Sequence, residues 1–288
     1  MTRLLIAYDG SSSAKAALTF ASALFPAAEA VVAHVHAPPP SPESGALARI
    51  ALPDEMVREG IERMRIEAQA AGQKAVDEGV ELATAAGLDA RPELAFAVTP
   101  WRELRAQAEA HKVDVIVSGT HGASPFERVM IGSTAASLLH HAERPLLVVP
   151  EGTTGADGPI LAGYDGSDHA KTALEFAAHH LRSRPLLVAH AWPVPVLVTS
   201  LVTPPAPPES ELAAAGAAFA RDAGLDATAT TVDGTRGLWR AMLAAAEERH
   251  AAAILVGSRG HGAVASTVLG SFATGLVHAA TRPVLVIP

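Results

Sequence analysis

The stretch LLIAYDGSSSAKAALTFASALF, Leu4 to Phe25, reads as an apolar strand, a sharp turn and an amphipathic helix. It returns as ILAGYDGSDHAKTALEFAAHHL at Ile160 to Leu181, with 11 of 22 positions identical. A second pair, Val113 to Pro150 and Ala251 to Pro288, aligns without gaps at 14 of 38 identical positions. The chain is therefore a duplication. The offset between copies falls from 156 to 138 along the chain, so the second copy has lost 18 residues between the two windows.

Working outward, five strand-length apolar runs occur per copy, separated mostly by Ala-rich helical stretches. In the first copy they are Arg3 to Tyr8, Ala30 to Val35, Ala90 to Phe96, Val113 to Ser118 and Pro145 to Val149. In the second they are Ile160 to Tyr164, Pro185 to His190, Ala227 to Thr231, Ala252 to Val256 and Pro283 to Ile287. Strands that are apolar throughout are expected where helices cover both sheet faces, and the right-handed crossover then gives a doubly wound α/β domain. The expectation is two tandem doubly wound domains, each with a five-stranded parallel sheet. Domain one spans residues 1–150, a small and polar linker 151–158, and domain two 159–288. The long charged helix expected over Asp54 to Ala86 is replaced in the second copy by a Pro-rich segment, Trp192 to Pro208, and a shorter helix, Glu209 to Ala223. The Pro-rich segment reads as a connector or as a lid.

The 22 basic and 30 acidic residues give a formal charge of −8, which disfavours broad attraction to nucleic acid or to an anionic membrane. The absence of cysteine excludes disulfides, thiol nucleophiles and Cys-based metal sites. No signal-peptide pattern and no run of about 18 apolar residues is present, so a soluble cytoplasmic protein with no membrane span is expected.

After its fourth strand each copy carries one glycine pattern: Gly119-x-x-Gly122, nine residues, then Gly132-Ser133, and Gly257-x-x-Gly260, nine residues, then Gly270-Ser271. Glycines at a strand tip let a ligand approach main-chain amides, and the following helices, Thr134 to Ala142 and Phe272 to Ala280, would offer unpaired N–H groups to an anion. Glycine turns with Ser133 and Ser271 as ordinary N-caps are the alternative. The first strands end in Tyr8-Asp9-Gly10-Ser11 and Tyr164-Asp165-Gly166-Ser167. Asp9 and Asp165 could accept hydrogen bonds from an adenine amino group or ribose hydroxyls, or cap the next helix; both readings stay open. His121 and its counterpart Arg259 sit inside the glycine turns and could touch phosphate.

Strand-Asp-Gly-Ser near the start and G-x-x-G-(nine)-G-S followed by Arg-Pro and an apolar strand resemble the universal stress protein family, over essentially the whole chain. Its ATP-binding branch has a Rossmann-like fold of the adenine nucleotide alpha hydrolase-like type. The resemblance implies ATP, with or without magnesium, with Asp9 near the adenosine and the Val35 backbone near the adenine. Gly119 and Gly122 would lie by ribose and phosphates, and Gly132 with Ser133 at the triphosphate. Asp165, Ala191, Gly257, Gly260, Gly270 and Ser271 match in the second copy. Members of this branch often carry a hydroxyl where this chain has Ala135 and Ala273; Thr134 could compensate in the first copy only, which favours the first site. The resemblance also implies that the last strands, Pro145 to Pro150 and Pro283 to Pro288, pair with each other into an intrachain pseudo-dimer, which could dimerise again.

Adjacent pairs such as His140-His141 and His179-His180 diverge by about 100° on a helix and cannot both face one metal ion. No triad order, nucleophile elbow or Walker A lysine is present, so no catalytic residue is named. Three functions fit: a nucleotide-dependent stress sensor acting on unspecified protein partners, a slow ATPase or adenylyl-transfer enzyme, and a nucleotide-free scaffold.

Overall fold

A computed structural model describes residues 1–38, 54–121, 131–192, 208–235, 237–260 and 270–288. The first copy runs β1 (Arg3–Ala7), α1 (Ser12–Leu24), β2 (Glu29–His36), α2 (Asp54–Ala85), β3 (Asp89–Phe96), α3 (Pro100–Ala110), β4 (Val115–Gly119), α4 (Ser133–His140) and β5 (Leu146–Val149). The second runs β6 (Ile160–Gly163), α5 (Asp168–His180), β7 (Leu186–Trp192), α6 (Pro208–Asp222), β8 (Ala227–Asp233), α7 (Leu238–Glu248), β9 (Ala253–Gly257), α8 (Ser271–His278) and β10 (Val284–Ile287). Each anticipated strand is present, to within a residue or two at its ends. Of the Pro-rich segment, residues 193–207 lie outside the described residues.

All ten strands form one sheet, in the order β3-β2-β1-β4-β5-β10-β9-β6-β7-β8. Neighbours are parallel within each copy, and β5 meets β10 antiparallel, with Leu147 opposite Leu285. The last strands thus pair with each other, as the resemblance implied, and form a seam at the sheet centre. In each copy the chain winds outward from β1 or β6 on one side and then crosses to β4 or β9 on the other. The strand ends on either side of that reversal leave the crevice in which open α/β sheets receive ligands.

Strand parity sorts the core into two layers. Leu4, Ile6, Leu147, Val149, Leu285 and Ile287 face α1, α2, α5 and α6. Leu5, Leu146, Val148, Val284 and Val286 face α3, α4, α7 and α8. Both layers contain residues of both copies, so the seam is core throughout. The Arg-Pro steps before β5 and β10 have a structural use: Arg144 donates to the Val113 carbonyl at 2.9 Å and Arg282 to that of Ala251 at 2.8 Å. These bonds fix the start of the last strand against the start of its parallel neighbour.

The longer helix α2 and the shorter α6 share one contact that the sequence offsets obscure. A methyl on Gly79 would lie 2.8 Å from Val32 and 2.9 Å from Tyr8, and one on Gly216 would lie 2.6 Å from Tyr164 and 2.9 Å from Val188. Gly216 is therefore the counterpart of Gly79, and α6 keeps the part of α2 that rests on the sheet.

Candidate functional site

Tyr-Asp-Gly-Ser builds the same turn in both copies. Gly10 and Gly166 take φ of 79° and 83°, the left-handed region that glycine enters without Cβ strain. Asp9 Oδ1 accepts from the Ser11 amide at 3.0 Å, and Asp165 Oδ1 from that of Ser167 at 3.0 Å. The caps are the serines: Ser11 Oγ accepts from Ala14 N–H and Ser167 Oγ from Ala170 N–H. One carboxylate oxygen of each aspartate is thus spent on the turn, while capping falls to the residue two places on.

In the first copy this turn borders a hollow of about 170 Å³ at the carboxyl ends of β1, β2 and β4. Asp9, His34, Val35 and Gly119 stand on the strand side, Pro100 and Leu104 of α3 form another wall, and Gly132, Ser133 and Thr134 at the start of α4 close it. The structure so brings together the residues anticipated in the first copy; Gly122 lies outside the described residues. Pro100 and Leu104 were not anticipated: they carry no motif and reach the site because α3 packs on the sheet there.

The glycines divide into two kinds. A methyl on Gly119 would lie 2.3 Å from Ser13 Oγ and 2.9 Å from the Ser13 carbonyl carbon; one on Gly257 would lie 2.8 Å from the His169 carbonyl carbon. Their missing Cβ admits the first turn of α1 or α5, so the side-chain void expected for a ligand is filled by helix, and only the main chain of Gly119 lines the hollow. The buried Ser13 hydroxyl also accepts from His121 N–H at 3.3 Å, tying that helix to the glycine turn. Gly132 and Gly270 are different. They are the N-caps of α4 and α8, with extended backbone and no side-chain cap bond, so Ser133 and Ser271 are first helical residues and not N-caps. Gly132 N–H donates to the Thr120 carbonyl at 2.6 Å, which fixes the start of α4, the positive end of its dipole, beside the end of β4. His121 lies on the wall of the hollow with Nε2 buried and unpartnered.

A histidine relay runs behind this wall. His34 Nδ1 lies 2.6 Å from the Tyr8 carbonyl, which can only accept, so Nδ1 carries the proton and Nε2 accepts from His36 Nδ1 at 3.2 Å. His36 Nε2 is then a lone pair, buried without a partner against Gly72 of α2. His190 repeats the first bond, to the Tyr164 carbonyl at 2.7 Å, while Trp192 stands in place of His36. Burial, then the neighbouring His34, hold the His36 pKa below its ordinary 6.5. The unfolded chain therefore binds more protons, and stability declines as pH drops through and below 6.5. Thermal midpoints should fall between about pH 7.5 and pH 5.5, and His36→Phe should flatten that fall. His180, lowered chiefly by burial at the base of α5, sustains a residual slope. Tyr8 is pushed up to about 12 by burial, then Glu78 and Asp9, so it stays protonated throughout.

In the second copy Asp165 and Gly257 occupy the equivalent strand ends, Ala191 lies in β7 where Val35 lies in β2, and Gly270 with Ser271 opens α8. Gly260 is pressed on Asp165: a methyl there would lie 2.4 Å from Asp165 Oδ2.

Residues 1–150 and 158–288 each match the profile of the universal stress protein family. The chain belongs to that family. A universal stress protein of Mycolicibacterium smegmatis is 31% identical over 183 residues, 60% of this chain, which spans 61% of that protein's length. One from Mycobacterium tuberculosis strain CDC 1551 is 26% identical over 98% of this chain and 95% of its own length. The crystal structure of a universal stress protein from Archaeoglobus fulgidus DSM 4304 superposes with a TM-score of 0.69 at 22% identity, covering 99% of this chain and 97% of that one. That superposition fits the tandem Rossmann-like fold of this universal stress protein. Among its described residues no helix is long and apolar enough to cross a membrane, and no cluster of His, Asp or Glu could hold a metal ion.

Proposed function

We propose that the protein binds an adenine nucleotide, ATP in the first instance, in the hollow of its first copy, and acts as a nucleotide-dependent regulator in a stress response. One observation carries this reading. The α4 N-terminus opens on Gly132, a cap residue with no side chain of its own to occupy the helix amides, and it borders the same hollow as Asp9 and Val35. Amides left unpaired at a helix start attract phosphate, whereas the Asp9 carboxylate repels it and accepts from amino or hydroxyl groups. The base and ribose therefore lie toward Asp9 and the main chain of Val35, and the phosphates toward Gly132, Ser133 and Thr134, with Gly119 between. Magnesium, if it accompanies ATP, would be held mainly by the phosphates, because no carboxylate cluster surrounds the α4 end among the described residues.

Mass spectrometry of ligand released from protein purified without added nucleotide, with calorimetric titration of ATP and magnesium, tests this. Expected is ATP binding that Gly132→Val weakens at least about tenfold, because the new side chain covers the amide cradle. No binding would overturn the proposal. Phosphate release that tracks binding would replace the regulator with the slow ATPase.

A further inference from the structure

The two copies differ where their clefts should be most alike. By the repeat register, Ala7, Leu104, Ser118 and Thr134 of the first copy correspond to Gly163, Met242, Val256 and Phe272 of the second. In the first copy these four side chains border the hollow. In the second, two larger side chains, Val256 and Phe272, and the longer, unbranched Met242 converge from β9, α8 and α7 on the one position that has lost its methyl. A Cβ built on Gly163 would lie 3.1 Å from Val256 Cγ1, 3.6 Å from Met242 Cε and 3.8 Å from Phe272 Cε1. Met242 is fully buried and Val256 nearly so, and Phe272 packs against the same apolar layer.

The exchanges are mutually compensating. Ser118→Val and Thr134→Phe, read from the first copy to the second, remove two hydroxyls and add apolar volume, and the loss of the Ala7 methyl makes room for it. Volume balanced in this way is how a packed core accepts larger side chains without strain. On the opposite side, Gly260 rests on the carboxylate of Asp165, which occupies the place where a ribose or base would meet that group.

We infer that Phe272, Met242 and Val256 plug the second cleft, so that the chain binds one nucleotide, in its first copy, and the second copy serves as its structural partner. The inference rests on the proposed nucleotide site, and stoichiometry separates the two. Titration of the full chain with ATP and magnesium should give one site. None would overturn nucleotide binding itself, whereas two equivalent sites would overturn the plug and leave the first reading intact. Thr134→Phe, which imports the plug, should weaken binding at least thirtyfold, while the double variant Phe272→Thr, Val256→Ser, which restores the residues of the first copy, should add a second binding event. A double variant that still binds once would overturn the assignment to these side chains. Should Thr134→Phe fail to fold, photolabelling of the unmodified chain with 8-azido-ATP and peptide mapping serves instead. Labelled peptides confined to residues 1–150 are expected, and equal labelling of 158–288 would overturn the inference.

Discussion

A charge introduced at the seam, L147D, is expected to destabilise both copies together by about 4 kcal/mol or more, a large fraction of the stability of an ordinary domain. Leu147 is fully buried, pairs with Leu285 across the antiparallel step, and belongs to an apolar layer that continues into both halves. A carboxylate there has no partner to replace water, and desolvating it costs several kcal/mol unless it takes up a proton. Because the layer is shared, chemical denaturation of the unaltered chain should show one transition, and L285D should act like L147D from the other side. Leu147→Ala, which removes volume without charge, should cost about 2–5 kcal/mol. Separate transitions for the two halves, or an L147D chain that melts near the original midpoint, would show that the seam is a weak contact and not core.

Adding one methyl at a strand tip is expected to be nearly as damaging. Gly119→Ala and Gly257→Ala should each cost about 1–3 kcal/mol, because the new Cβ meets the main chain of Ser13 or His169, which cannot rotate away as a side-chain end can. Either the first turn of α1 moves or the β4 end does, and both border the hollow proposed to take the nucleotide. In the first copy ATP affinity should therefore fall along with the denaturation midpoint, while Gly257→Ala should lower the midpoint and leave affinity unchanged. Gly87→Ala is a useful contrast: nothing lies within 4 Å of its Cβ, so any loss there comes from its φ of 87°. Equal affinity losses at Gly119 and Gly257 would contradict the single-site reading.

Much of this architecture was legible in the residues. The strands announced themselves as apolar runs because both sheet faces are covered, and the duplicated Tyr-Asp-Gly-Ser turn was visible because its geometry depends on four adjacent residues. Local chemistry of that kind is written locally. Gly119, at the end of β4, has a packing role that its residue type did not disclose, since a sequence shows that a Cβ is missing but not which neighbour occupies its direction; here it is Ser13, over a hundred positions away. The filling of the second cleft was hidden for the same reason. Gly163, Met242, Val256 and Phe272 look like four unrelated exchanges until α7, β9 and α8 bring them to one point. The equivalence of Gly79 and Gly216 was obscured by the deletion, which shifts the register between the windows that align.

The strand order leaves β3 and β8 as the two ends of the sheet. At one end Pro92, which sits opposite Val32, has no N–H to offer an incoming strand, and Arg91 and Glu93 flank it with charge. At the other, Ala-Thr-Ala-Thr-Thr-Val precedes the single acidic Asp233. By the chemistry of the two strands alone, addition is thus discouraged at the proline end and not at the threonine end. Within the residues of the two border strands themselves, chemistry therefore guards one margin of the sheet against misassembly and spares the other.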